Sequence, residues 1–289
     1  MIFRNCVLTF HMINDPKWFE ELILSLKKRY RFIPIEEIKE YYYQGKKLRN
    51  ACHVSFDDGH KTLYSNVFPI IKKHSVPISV YVSPKIITER SNFWFQEVEG
   101  FNKQRLTEIF KELFPEKMSD NKFSLKELLK HLTIKEIHEV VAKYKTRYNV
   151  PDKEPQNISH EQMLEMQESG LVTFGSHTIN HPILPNESDE DSEFEIMKSV
   201  EWLADLTRKR IDFFAFPNGD CTARELEYLK KAGIKIAFST KYGTKFSRKA
   251  NPLLIPRVGF TYGSPKYLIL KIFFGKYWDK FKRFARKIV

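Results

Sequence analysis

The order of apolar and polar positions divides the chain into short apolar runs separated by helix-like stretches. The apolar, β-branched and aromatic runs have the length of strands and lie at 6–10, 52–56, 78–82, 171–175, 212–216, 234–240 and 255–260. Helical spacing of apolar residues is found at 18–29, 63–74, 192–208 and 222–231. Strands that alternate with helices form parallel sheets through crossover connections. About seven or eight such units predict an α/β fold, a closed or nearly closed (β/α) barrel, with an open doubly wound sheet as the alternative.

Residues 90–160 interrupt this alternation. Two helical stretches in this region, "SLKELLKHL" and "TIKEIHEVVAKY", each open with a capping box. Helices without an intervening strand do not extend a barrel, so we interpret the region as a helical insertion in one βα loop that covers the site. The sequence thus predicts a barrel over 1–264 that contains this insertion, followed by a separate helix over 265–289.

Composition and cysteine usage place the chain among globular proteins. It has 289 residues, of which 42% are hydrophobic and 29% are charged, and a chain of this length buries a large core. The three cysteines are far apart and lack metal-binding spacing, which suits a reducing compartment. The N-terminal stretch lacks the features of a signal peptide, and no segment has the length and apolarity of a membrane span. We therefore expect a cytoplasmic protein, peripheral on the inner face of the membrane if it binds one.

Much of the net charge of +12 lies at the C-terminus. Between 265 and 289, eight basic residues oppose one acidic residue. Apolar residues with helical spacing form one stripe there, namely Leu270, Phe273, Phe274, Tyr277, Phe281, Phe284 and Ile288. This pattern is typical of an interfacial helix on an anionic membrane surface. A terminal helix that packs on its own barrel is the alternative, and the continuous aromatic surface argues against nucleic acid as a partner.

Two groups of polar residues follow predicted strands, where barrel enzymes carry their reactive groups. Asp57 and Asp58 follow the second run, and adjacent carboxylates need a nearby cation when they are buried. His177 and His181 follow the fourth run, and on a helical turn residues four apart lie on one face. Asp58 and the two histidines would form a three-ligand metal site with open positions. Asp57 beside that site would act as a general base toward water.

These motifs resemble those of a known family. "VSFDDG" is similar to the first motif of the NodB-type polysaccharide deacetylases, carbohydrate esterase family 4, and "SHTINH" is similar to their second motif. The resemblance covers most of the chain outside the insertion and the tail. It implies a distorted (β/α)7 barrel that removes the acetyl group from an N-acetylated sugar, with Asp57 as the base. It also implies a divalent metal on Asp58, His177 and His181, zinc first, with cobalt, nickel or manganese as alternatives.

The third motif departs from the family pattern. "FFAFPNG" resembles it, but Ala215 stands where the family has an arginine that orients the base. Arg257, at the end of the last strand, is the candidate replacement, and a surface arginine paired with any nearby acid is the alternative. After Pro217, the resemblance implies that the backbone N–H of Asn218 donates to the oxyanion, a role that does not depend on the side chain.

The general acid also occupies an unusual position. The common family layout has a histidine near the C-terminus, whereas none of the nine histidines here follows His181. His11 ends the first strand, which neighbours the last strand in a closed barrel. This order resembles the circularly permuted biofilm-polysaccharide deacetylases, so we expect His11 to protonate the leaving amine, with a buried structural histidine as the alternative. Trp94, where the insertion begins, would stack on a sugar ring or pack between helices.

The sequence therefore predicts a metal-dependent hydrolase that removes the N-acetyl group from an amino sugar in a polysaccharide or a lipid-linked glycan precursor. Hydrolysis of another amide, such as a formamide or a cyclic imide, is one alternative. A non-catalytic glycan-binding protein is another, and the intact carboxylates and histidines of the two motifs argue against it. A C-terminal helix on a membrane would favour the lipid-linked precursor.

Overall fold

A computed structural model of the protein describes residues 5–117, 124–239, 247–259 and 264–274. The strands in these ranges belong to one parallel sheet. They are β1 (Cys6–Phe10), β2 (Arg31–Phe32), β3 (Ala51–Asp57), β4 (Ile78–Val82), β5 (Val172–Ser176), β6 (Phe213–Ala215), β7 (Ile236–Ser239), β8 (Ile255–Pro256) and β9 (Val258–Gly259). Each of the seven predicted apolar runs overlaps one or two of these strands.

The sheet is nearly closed into a barrel because its two ends lie on one short segment. The strand order is β8-β7-β6-β5-β4-β3-β1-β9, and β2 pairs with β3 outside this path. Ile255 of β8 pairs with Phe238 of β7, and Val258 of β9 pairs with Leu8 of β1. Since only Arg257 separates β8 from β9, the two act as one seventh strand of the ring. The predicted distorted (β/α)7 barrel is thereby confirmed over the open sheet.

Alternation along the strands creates two apolar layers. Val7, Tyr81 and Phe238 belong to the cluster inside the barrel, whereas their sequence neighbours, such as Leu8 and Val80, belong to the larger cluster between strands and helices. Strands that are buried on both faces consist of continuous apolar residues, and for this reason they could be predicted from apolar runs in the sequence. Both layers are formed by residues far apart in the chain.

Helices connect the strands and cover the outside of the barrel. They are α1 (Pro16–Lys27), α2 (Ile35–Tyr43), α3 (Phe68–His74), α4 (Pro84–Glu89), α5 (Trp94–Glu97), α6 (Lys103–Leu113), α7 (Leu125–Leu129), α8 (Ile134–Tyr148), α9 (His160–Glu168), α10 (Asp189–Thr207), α11 (Ala223–Lys231) and α12 (Pro265–Phe274). The helix predicted over 63–74 is divided, because a π-type turn at 63–67 precedes α3. β2, α2 and α4 were not predicted, because they are too short for a clear hydrophobic period.

The helical insertion lies between β4 and β5 and has its own apolar core. Its core side chains come from α5 to α8 and their loops and include Trp94, Phe101, Leu106, Phe110, Leu129, Ile137, Val140 and Tyr144. Hydrogen bonds anchor this unit to the segment after β5. The N–H of Ile134 donates to the buried Glu187 carboxylate at 2.7 Å, and Asn186 Nδ2 donates to the Lys130 carbonyl at 2.8 Å. The insertion is therefore fixed beside the carboxyl ends of the strands.

The structure describes only the first part of the predicted C-terminal helix. In α12, Ile272 is buried and Ile269 packs on the main apolar core, whereas Leu270 is exposed. This packing matches the alternative of a terminal helix on its own barrel. The side chains of Phe273 and Phe274, together with the stripe residues Tyr277, Phe281, Phe284 and Ile288, lie outside the described residues. Within the described ranges, no helix has the length and apolar character needed to cross a bilayer.

Candidate active site

The paired carboxylates occupy a tight turn at the carboxyl end of β3. Asp57 ends the strand, and Asp58 follows with a left-handed φ of 68°. Gly59 is also left-handed, and a Cβ at this position would lie 3.0 Å from Val82 Cγ1. Aspartate and glycine are among the residues that tolerate this backbone conformation, which explains the DDG sequence. The turn allows both carboxylates to remain buried at the edge of the barrel, 4% and 6% exposed.

Arg257 provides the cation that the sequence analysis sought for this pair of acids. Its Nη1 and Nη2 donate to the two carboxylate oxygens of Asp57 at 2.7 and 2.6 Å. The residue is 2% exposed, so the alternative of a surface arginine does not apply. Its guanidinium also lies 5.2 Å from the ring centre of Phe238 and 5.7 Å from that of Tyr81. Bidentate contact and aromatic packing together fix the orientation of the Asp57 carboxylate.

This contact determines the charge state of Asp57. Burial alone would raise the pKa of Asp57, but the Arg257 guanidinium, assisted by His177 and His11, holds that pKa well below its usual range. Asp58 lacks such a partner, and burial raises the pKa of its carboxyl. Two adjacent carboxyl groups therefore have opposite tendencies, one to stay ionised and the other to need a further cation.

The second group of predicted residues converges on Asp58. Its Oδ1 lies 3.5 Å from His177 Nε2 and 3.6 Å from His181 Nε2, and it accepts no hydrogen bond from the described residues. His177 Nδ1 lies 2.7 Å from the Ala215 carbonyl, which can only accept, so Nδ1 carries a proton and Nε2 is the nitrogen nearest Asp58. Burial, with the neighbouring His177, lowers the pKa of His181 well below its usual value. One carboxylate and two neutral imidazoles are a donor set that suits zinc.

The two histidines meet through a loop and not through the helical turn that the H-x-x-x-H spacing suggested. Thr178 and His181 have left-handed φ values of 66° and 57°, so residues 177–181 do not form a helix. Glu195 of α10 holds this loop, because its carboxylate accepts from Ile179 N and Asn180 N at 2.8 and 3.0 Å. The sequence analysis missed Glu195, whose spacing on a long helix gave no signal.

His11 lies beside this group at the end of β1. Its Nε2 is 3.9 Å from Asp57 Oδ2, and its side chain is 61% exposed, so the alternative of a buried structural histidine is wrong. Asn218 reaches the cleft from a short turn that begins at Pro217, and it has a left-handed φ of 52°. Pro217 is buried and does not line the cleft itself. For Trp94, the sequence left open a place at the sugar or a place between helices. Its side chain lines the cleft and is also buried in the insertion core.

These residues surround a cleft of about 200 Å³. Besides the residues named from the sequence, it is lined by Phe95, Lys126, Lys130, Phe216 and Gly219. The half-buried Phe95 ring lies 4.9 Å from the ring of His181 and offers more open aromatic surface than Trp94. A cleft with an aromatic wall and converging polar groups is suited to bind a sugar ring.

Comparisons with known proteins agree with this geometry. A family model described as polysaccharide deacetylase matches residues 44–237. The poly-beta-1,6-N-acetyl-D-glucosamine N-deacetylase of Staphylococcus aureus (strain MSSA476) is 23% identical over 272 residues, which are 91% of this chain and 71% of that protein.

Two solved structures share the fold at low identity. The Streptococcus pyogenes deacetylase PplD in complex with acetate has a TM-score of 0.65 at 17% identity, covering 94% of this chain and 99% of its own. IcaB from Ammonifex degensii has a TM-score of 0.64 at 18% identity, and the match covers 93% of this chain and 97% of IcaB. Because the family model matches more than half of the sequence, the chain belongs to the polysaccharide deacetylase family.

Proposed function

We propose that this protein is a metal-dependent N-deacetylase that removes acetyl groups from the amino sugars of a glycan. The observation that carries this proposal is the convergence of Asp58, His177 and His181 beside the ionised Asp57. The donor atoms of the three residues lie within 4.8 Å of one another, and all three side chains are buried. A buried carboxylate oxygen that accepts no hydrogen bond from the described residues is the kind of group a cation would satisfy.

The proposed ligands are Asp58, His177 and His181, with zinc as the first candidate metal. When bound, such a metal would supply Lewis acidity to the acetyl carbonyl and to the attacking water. The remaining steps belong to the protein. Asp57, held by Arg257, accepts the proton of the water as its oxygen adds to the carbonyl carbon. The backbone N–H of Asn218 donates to the developing oxyanion.

His11 completes the proposed reaction. As the carbon–nitrogen bond breaks, protonated His11 transfers its proton to the leaving nitrogen, and the products are acetate and a free amino sugar. The exposure of this ring and its position beside the cleft support the assignment. The sequence similarity to a poly-beta-1,6-N-acetyl-D-glucosamine N-deacetylase supports an N-acetylglucosamine polymer as substrate.

We also propose that residues 265–289 bring the enzyme to an anionic membrane surface, where a lipid-linked precursor would be found. The support is the sequence alone, with eight basic residues against one acidic residue and an apolar stripe. Such an enzyme would be a peripheral protein on the cytoplasmic side of the membrane.

The metal-site proposal predicts which variants lose metal. We expect Asp58→Ala, His177→Ala and His181→Ala to be purified without stoichiometric metal, because each removes one of three ligands. Asp57→Asn should keep the metal and lose acetate release. Metal content by mass spectrometry and acetate release from N-acetylglucosamine oligomers are the measurements, with the fold checked by circular dichroism. Full activity of Asp57→Asn would contradict the assignment of the base.

The Arg257 contact predicts a change in pH dependence. Arg257→Lys keeps a positive charge but loses the bidentate contact, so the pKa of Asp57 should rise. Because Asp57 acts when ionised, the acid limb of the activity profile should move to higher pH, with kcat lower by about tenfold to a hundredfold. Arg31→Lys is the matched control, since Arg31 makes an exposed bidentate pair with Glu37. An unshifted acid limb in Arg257→Lys would exclude this role.

The His11 assignment predicts an effect that depends on the leaving group. His11→Ala should lower amide hydrolysis by about a hundredfold, because an amine leaves poorly without a proton. Hydrolysis of 4-nitrophenyl acetate should fall far less, since its phenolate leaves unprotonated. His74→Ala, on α3, serves as the control. Equal losses on both substrates would show that His11 acts in some other way.

The membrane proposal predicts that binding depends on the C-terminal segment. The full chain should sediment with vesicles containing anionic phospholipid, and a chain ending at Ser264 should not. Added salt should weaken the binding, because surface charges are screened. Sedimentation of both chains to the same extent would remove the proposed role of residues 265–289.

A further inference from the structure

The outer wall of the active-site cleft is basic. Lys126 and Lys130 line the cleft opposite the barrel residues, and Lys126 also lines an adjoining cavity of about 480 Å³. Both lysine side chains are exposed, and neither forms an ion pair with a carboxylate of the described residues. Their charges are therefore available to a ligand in the cleft.

The pattern of α7 explains why these two lysines face the cleft. Lys126 belongs to α7 and Lys130 caps its C-terminus, where Lys130 N donates to the Lys126 carbonyl at 3.2 Å, so the two lie one turn apart on the same face. Leu128 and Leu129 are buried in the insertion core. The capping box of Ser124 and Glu127 fixes the start of this helix. Lys126 Nζ lies 5.9 Å from the ring centre of Phe95, the same ring that contacts His181. Lys126 is thus separated from a proposed metal ligand by one aromatic side chain.

Hydrogen bonds hold this wall at a fixed distance from the proposed chemistry. Asn186, which follows His181 by five residues, donates from Nδ2 to the Lys130 carbonyl at 2.8 Å. From the other side, Trp94 Nε1 donates to the His181 carbonyl at 3.1 Å. The backbone at Lys130 is therefore tied to the loop that carries the two histidines. Only the lysine side chains remain free to adjust to a ligand.

The acidic residues near this wall offset only part of the charge of the two lysines. Glu127, which lies between them in the chain, interacts with Lys130 and offsets one positive charge. Asp57 is paired with Arg257, and Asp58 belongs to the proposed ligand set. In the adjoining cavity, Glu99 is the acidic group besides Asp58, and it is accompanied by Lys153, whose Nζ donates to the carbonyls of Gln96 and Glu99. The wall therefore keeps a net positive charge at the point where a neighbouring part of the substrate would lie.

We infer that Lys126 and Lys130 form a phosphate-binding subsite, so that the preferred substrate carries a phosphate on or next to the acetamido sugar. This inference rests on the proposed deacetylase function and specifies its substrate class. Two lysine ammonium groups match the several charged oxygens of a phosphate, whereas the hydroxyl groups of a neutral glycan need no such pair. The same charges repel the ammonium group of the deacetylated product, so the subsite favours substrate over product.

The test compares neutral and phosphorylated substrates with one acetamido group each. The probes are methyl N-acetylglucosaminide, N-acetylglucosamine 6-phosphate and N-acetylglucosamine 1-phosphate. For the wild-type enzyme we expect kcat/KM to be about tenfold higher with a phosphorylated probe, the size that two exposed charge contacts provide together. A preference for the 1-phosphate would indicate a carrier-linked sugar, and a preference for the 6-phosphate would indicate a phosphodiester-linked polymer.

Charge-reversal variants identify the residues responsible. In the double variant Lys126→Glu with Lys130→Glu, the ratio of kcat/KM between phosphorylated and neutral probes should fall to one or below. The matched control is Lys28→Glu with Lys111→Glu, which changes the charge of two exposed residues that line neither cavity, and it should keep the wild-type ratio. A wild-type ratio of one, or a ratio that survives the Lys126 and Lys130 changes, would overturn the inference.

Calorimetric titration separates this inference from the function on which it rests. If the subsite exists, at least one of the two phosphorylated probes should bind the wild-type protein more tightly than the neutral sugar and lose that advantage in the double variant. That result, without acetate release from any probe or from N-acetylglucosamine oligomers, would refute the deacetylase proposal and keep the subsite. Acetate release with equal binding of charged and neutral probes would support the deacetylase proposal and refute the subsite.

Discussion

The buried contact between Arg257 and Asp57 is the interaction on which the active site depends. Two adjacent acids at the end of a barrel strand would repel each other and lose hydration when buried. The guanidinium of Arg257 neutralises one of the two charges, that of Asp57. Removing one partner of such a pair typically costs about 3–5 kcal/mol, since the other charge stays buried alone. Arg257 also interrupts the seventh strand between β8 and β9. The residue that breaks the regular strand pairing is therefore the one that allows the acids to be buried.

A second polar layer outside the barrel positions the proposed metal ligands. Glu195 is 3% exposed, and burial raises the pKa of its carboxyl. It is satisfied by donors from the loop between the two histidines, including Asn180 Nδ2 at 2.6 Å. Lys85 Nζ in turn donates to Asn180 Oδ1 at 2.9 Å. These contacts use only protein groups, so the protein itself holds the loop that carries the two proposed histidine ligands.

The sequence predicted the features that local patterns encode. The bounds of β1 and β4 agree with the predicted runs, because apolar residues fill these strands from end to end. Arg257 could be proposed because it stood at another predicted strand end, while Ala215 occupied the position of the family's arginine. The helical turn at 177–181 was wrong, since identical spacing arises from a loop with two left-handed residues. Glu195, Phe95 and the cleft lysines were missed because their contacts join segments whose proximity only the folded chain establishes.

The arrangement of β1 between β3 and the last strand has a consequence for how the enzyme is made. The segment that matches the family model, 44–237, contains Asp57, Asp58, His177 and His181 but neither His11 nor Arg257. During synthesis on the ribosome, Asp57 emerges about 200 residues before Arg257, the separation between the two partners. A nascent chain can thus assemble most of the parallel sheet while the charge of Asp57 still lacks its counterion. The last strand to be translated both closes the ring and supplies the counterion of Asp57, so a chain that ended before Arg257 would lose both at once.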